Sequence, residues 1–180
     1  MKTKNSKTES DQNPMKQIRV EKVTLNMGAG EPGPKLNAAK KTLEIITGKK
    51  ITITKSKKRS TFGVTKGREI GAMVTLRGKD ACDILKRLLE SLENKINPNN
   101  FDVNGNFSFG IQEYINIPGA KYDPEVGILG LDVAITLERP GFRIKRRKNP
   151  DKIGKSHMIA KEDAMKFIKK EFGTKIEEDE

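Results

Sequence analysis

The sequence predicts an α+β fold with a mainly antiparallel sheet, helices packed on one face and basic loops at the sheet edge. Three observations carry this. Short stretches of period-two alternation outnumber the segments with helical spacing. Their order is strand, helix, strand, strand, helix, strands and a terminal helix, which does not alternate strictly enough for a doubly wound parallel sheet. Finally, 180 residues at 34% hydrophobic content suit one domain with polar tails.

The first 14 residues are polar, end at Pro14 and read as a disordered extension. The domain is expected over 15–173, followed by an acidic tail over 174–180 that ends in EEDE. Val23, Leu25 and Met27 alternate with Thr24 and Asn26, giving a first strand with one apolar face. After the turn MGAGEPGP, Leu36, Ala39, Leu43 and Ile46 recur at helical spacing, and Gly48 stops that helix. Ile51 and Ile53 alternate with Thr52 and Thr54 in a second strand. The polar stretch from Lys55 to Gly67 reads as a loop or hairpin tip.

Ala72, Val74 and Leu76 mark a third strand, closed by Gly78. Ala81, Ile84, Leu85, Leu88, Leu89 and Leu92 predict an amphipathic helix from about Lys79 to Ile96, with Asp80 and Asp83 in its first turns. An Asn-Gly turn leads into strand at NFSFGI, and Leu131, Val133, Ile135 and Leu137 mark another. Ala164, Met165, Ile168 and Phe172 place a last helix over about Lys161 to Phe172.

Composition narrows the function. A single cysteine, Cys82, excludes an internal disulfide framework and a cysteine-based zinc site. With His157 the only histidine, no metal site or nucleophile–base pair is legible, and the chain is expected to be neither an enzyme nor a holder of a cofactor. No secretory signal and no membrane-spanning apolar run is visible, so a cytoplasmic location is expected.

The net charge is +12, which makes a polyanion the default partner. The excess is local. Residues 49–68 hold eight cations and no acid, and residues 139–155 hold eight cations and one acid, Asp151. These segments carry +15 together, leaving −3 for the rest of the chain. Both also contain Gly, Ser or Thr and an aromatic, Phe62 or Phe142, residue types that contact phosphates and stack on bases. The outward strand positions Thr24, Asn26, Thr52, Thr54 and Thr75 are polar but uncharged. Such a face can dock on nucleic acid, or can simply express the β-propensity of threonine.

Gly28, Gly30 and Gly33 match the G-x-G-x-x-G of a dinucleotide-binding turn. Pro32 and Pro34 remove amide donors there, and the following strand ends in Lys55 where a ribose would want an acid. A helix N-terminus near an RNA phosphate is the better reading.

Specific strings go further. KVTLNMGAGE, TKSKKRSTFGVTKGREIGAMVTLRG, FDVNGNFSFGIQEYINIPG and LDVAITLERPGFR, in this order, closely resemble the 5S-rRNA-binding family numbered five in the large ribosomal subunit. The resemblance covers about Met15 to Gly173, and IPGAKYDPE and ITLERPGFRIKRRK look like its archaeal/eukaryotic branch. It implies a twisted antiparallel sheet whose exposed face holds 5S rRNA and anchors it to large-subunit rRNA in the central protuberance. It also implies a loop near the P-site tRNA and a bridge to a small-subunit protein. Carried onto this chain, Asn26, Gly28, Thr54, Lys55, Thr75, Arg77, Arg139, Arg143, Arg146 and Arg147 would contact rRNA. Lys57, Lys58, Arg59, Phe62, Lys66 and Arg68 would form the tRNA-proximal loop.

Overall fold

The computed structural model describes residues 13–59, 63–120 and 129–176. Among them, β1 (Arg19–Gly28), β2 (Thr52–Lys55), β3 (Glu69–Leu76), β5 (Phe107–Ile111) and β6 (Leu131–Glu138) form one sheet in the order β2-β3-β1-β6-β5. Every pairing in it is antiparallel. The short strands β4 (Lys95–Ile96) and β7 (Lys175–Ile176) pair in parallel as a separate ribbon. The helices are α1 (Pro34–Thr47), α2 (Lys79–Glu90) and α3 (Lys161–Phe172).

Registers explain which face is buried. Val23, Leu25 and Met27 stand opposite Leu76, Val74 and Ala72 on one side. Val23 and Leu25 meet Ile135 and Val133 on the other, and Phe107, Phe109 and Ile111 continue the row against Ile135, Val133 and Leu131. All these side chains are buried in one cluster. Period-two alternation puts them on one side of the pleat, so the sheet has one apolar and one open face.

Helix α1 packs on β3 and β1, and α2 packs on β1. Leu43, Leu85, Leu88 and Leu89 are fully buried, and burying each such side chain contributes roughly 1.5–3 kcal/mol. Gly48 ends α1 in the left-handed region at φ 64°, and its N–H closes on the Glu44 carbonyl. That is the stop the sequence predicts. Helix α3 contacts β7 and sends Ala164 and Ile168 into the same core.

The structure revises two boundaries. Helix α2 ends at Glu90, not near Ile96. Glu93 and Asn94 take positive φ, and the Asn94 N–H closes on the Leu89 carbonyl, which turns the chain out of the helix. Ile96 is buried all the same, in β4 opposite Ile176. The packed chain also runs past the expected boundary at 173, because Thr174 is buried and Lys175 and Ile176 form β7. At the other end, Asn13 caps a turn over Pro14–Lys16 by accepting from the Met15 N–H. Residues 1–12 and 177–180 lie outside the described residues.

Cys82 is half-buried on α2. Burial, reinforced by the Asp83 carboxylate, holds its thiol above the ordinary value. The thiolate is the reactive form. Alkylation by iodoacetamide at pH 8 is therefore expected to be several-fold slower on the folded protein than on the urea-unfolded chain. Equal rates would remove the burial argument.

Candidate nucleic-acid interface

The open face is built in rows across the strands. One row runs Thr52, Met73, Asn26, Asp132, Gly110 across all five strands. The next runs Thr75, Thr24, Ala134, Ser108. Thr54, Gly71 and Gly28 form a third on the other side of the first. Small and hydroxylated side chains dominate, so a ligand can approach the pleat closely. The described helices that contact this sheet, α1 and α2, lie on the buried face.

Strand direction places the two basic segments at opposite ends of this face. The chain leaves β2 and enters β3 at one end, where residues 56–68 connect them. It leaves β6 at the other end, next to Arg19, and enters the segment 139–155. The ten residues of β1 between them span roughly 30 Å. A polyanion laid along the strands therefore meets cations at both ends and a nearly neutral middle.

At the β2–β3 end the hairpin continues through backbone bonds between Ser56 and Arg68 and between Gly67 and Ser56. The Ser56 hydroxyl donates to the Lys58 carbonyl at 2.6 Å and shapes the turn. Lys57, Lys58, Arg59 and Lys66 are exposed, and no described acid pairs with them. Arg68 is half-buried, and Lys55 pairs with Glu69 at 3.3 Å. Phe62 lies outside the described residues.

At the other end an ion network holds the arginines in place. Glu138 accepts from Arg19 at 2.7 Å and from Arg146 at 2.9 Å. Glu21 accepts from Arg146 at 2.9 Å and from Arg77 at 3.2 Å. The two carboxylates are largely buried, with side chains 8% and 13% exposed, whereas the three guanidiniums are about half exposed. The register of β1 slips between Val20 and Lys22, and that bulge brings Glu21 within reach of Arg77 and Arg146. Three cations on two acids leave a rigid, net positive corner. Arg143 is exposed, and Arg147 is turned back onto the Asn149 carbonyl at 3.0 Å.

Arg139 departs from the expected set. It is only 9% exposed. Its Nη1 donates to the carbonyls of Met158 (3.1 Å) and His157 (3.4 Å), and its Nη2 to Asp163 at 3.0 Å. These bonds occupy its donors inside the protein, so its place is structural and not on a phosphate. The His157 ring lies 2.8 Å from the Pro140 carbonyl and edge-on to Phe142, so it too is part of the packing.

The glycine turn is not a cofactor cradle. The N–H groups of Ala29 and Gly30 both donate to the Ile70 carbonyl, at 2.9 and 3.0 Å. The strand beside β1 is the antiparallel β3, so no β-α-β unit exists for a dinucleotide. Among the described residues no group of three His, Cys, Asp or Glu could hold a metal ion, and no helix is long and apolar enough to cross a membrane.

Sequence reasoning missed Arg19, Glu21, Glu138 and Asp132. Glu21 and Glu138 are distant in sequence, and only the β1–β6 register joins them. Asp132 was legible as an outward residue of an alternating strand, but its position at the centre of the face was not.

Comparison with known proteins gives the class first: this fold is that of a ribosomal protein. Residues 13–64 match the family model described as ribosomal protein L5, and residues 69–167 match the model of the C-terminus of that ribosomal family. The chain belongs to the ribosomal protein L5 family. A relative from Nitrosopumilus maritimus, named large ribosomal subunit protein uL5, is 47% identical over 171 residues, covering 94% of this chain and 99% of its own. Relatives of the same name from Sulfurisphaera tokodaii (48% identical; 92% and 96% covered) and Nanoarchaeum equitans (47%; 92% and 99%) are similar.

Proposed function

We propose that this chain is a non-catalytic constituent of the large ribosomal subunit that binds 5S rRNA on its open sheet face. It helps attach that RNA to large-subunit rRNA in the central protuberance. Asn26, Gly28, Thr54 and Thr75 line the contact face, with Lys55, Arg77, Arg143, Arg146 and Arg147 at its ends. The loop carrying Lys57, Lys58, Arg59, Phe62, Lys66 and Arg68 lies near the P-site tRNA, and another surface bridges to a small-subunit protein. One observation carries the reading: a small, polar, open face is bracketed by two cationic segments while helices cover the opposite face. Cations at the ends release counterions and set affinity, while the shaped face selects the RNA form.

The test is salt dependence. R143A and R147A are each expected to flatten the slope of log affinity against log salt for 5S rRNA by about 0.7–0.9 per lost phosphate contact. An unchanged slope would remove those residues from the phosphate set. K57A/K58A/R59A is expected to leave that slope unchanged and to weaken tRNA retention in the P site of assembled ribosomes.

A further inference from the structure

One residue of the open face does not fit a polyanion site. Asp132 is exposed at its centre, between Asn26 on β1 and Gly110 on β5. No described side chain pairs with it; the ion pairs of this face lie at its ends. Gly110 leaves its carboxylate room: a Cβ there would stand 4.0 Å from the Asp132 Oδ1. Around it the face offers Thr24, Thr75, Ser108, Ala134 and Gly71, all small.

A bare carboxylate repels every phosphate laid near it. It gains only where neutral donors reach it, and then through charge-assisted hydrogen bonds. The wide, shallow minor groove of A-form RNA offers such donors, the ribose 2′-hydroxyls and the guanine N2 amino group. The phosphates then lie at the groove rims, towards the cations at the two ends of the sheet.

We infer that Asp132 is a specificity-determining residue of this face: it accepts minor-groove donors of RNA and repels polyanions that present phosphates instead. The inference rests on the rRNA-binding reading above and names how that site discriminates. Removing a base-reading contact of this type typically costs ten-fold or more. Removing a repulsive charge does the opposite.

The two effects therefore have opposite signs on different ligands. With the full chain, D132A is expected to weaken binding to 5S rRNA by about ten-fold and to tighten binding to a duplex DNA of similar length several-fold. D132N, which keeps an acceptor oxygen without the charge, is expected to recover part of the 5S affinity while retaining the tighter DNA binding. A thermal melt of each variant checks that folding is intact. Tighter binding of D132A to both ligands, or no change with either, overturns the inference. If the wild-type chain binds 5S rRNA no better than DNA, the parent reading fails instead. Synthetic 5S rRNA with inosine or 2′-deoxyribose inside the protein's footprint separates the donors. The D132A penalty disappears with the substitution that removes the partner, and its survival in both also overturns the inference.

Discussion

Replacing Arg139 with alanine is expected to lower the melting temperature by roughly 5–12 °C without changing the salt slope of RNA binding. Arg139 follows β6 directly and is buried at the start of a basic segment. Its guanidinium ties three places together: the end of β6, the carbonyls of His157 and Met158, and Asp163 in the first turn of α3. Truncation leaves two carbonyls short of a donor and opens space at the sheet end. Breaking a buried ion pair can cost 3–5 kcal/mol. The Asp163 side chain is 44% exposed and regains water, so about 2–4 kcal/mol is the better expectation here. For a domain of this size each kcal/mol moves the midpoint by about 2–4 °C. The Arg139 Nε is buried without a partner, so part of what the guanidinium contributes is already offset. R139K should be almost as damaging, because an ammonium cannot span the same three acceptors. A normal melting temperature with a reduced salt slope would return Arg139 to the phosphate-contacting set.

The difference between Arg139 and Arg143 shows where sequence reading stops. Both are arginines in one basic run, and composition treats them alike. Arg139 is decided by Asp163, twenty-four residues further on, while Arg143 is exposed. What is local was legible. Alternation gave the strands, because each buries one face of its own pleat. The spacing of α3 and the glycine stop of α1 also follow from neighbours within a turn. The end of α2 was not legible, since Leu92 and Ile96 keep helical spacing. Ile96 is buried through its pairing with Ile176, a contact that no window of sequence contains. The two basic segments were legible as charge, but their placement at opposite ends of one face depends on strand order. The bulge that brings Glu21 to Arg77 and Arg146 is a property of the β1–β6 register.

The other large expected effect comes from a glycine that the sequence marks only as a turn. G105A is expected to destabilise the fold by about 2–4 kcal/mol, seen as a fall of roughly 6–12 °C in the melting midpoint. Asn104 and Gly105 sit in the reversal between Phe101 and Phe107, closed by bonds from the Gly105 N–H to Asp102 and from the Asp102 N–H to Asn106. Two costs add. At φ +77° an alanine is strained by about 1 kcal/mol. Its Cβ would also stand 2.6 Å from the Ile159 Cγ2 and 3.3 Å from the Ala164 Cβ. Neither neighbour has slack: Ile159 is a buried β-branched residue, and Ala164 is the fully buried first contact of α3. Pushing Ile159 outward also disturbs Met158, whose carbonyl Arg139 holds. Forcing a methyl into a packed site of this kind costs about 1–3 kcal/mol beyond the backbone strain. G48A separates the two terms, because Gly48 has a similar φ of +64° with nothing within 4 Å of its added Cβ. It should cost only about 1 kcal/mol. I159A costs a cavity by itself but makes room for the new methyl, so G105A/I159A should be less damaging than the two single changes added together. Urea unfolding of the four variants decides the matter. If G105A is no worse than G48A, or the double variant is simply additive, the steric account of Gly105 is wrong.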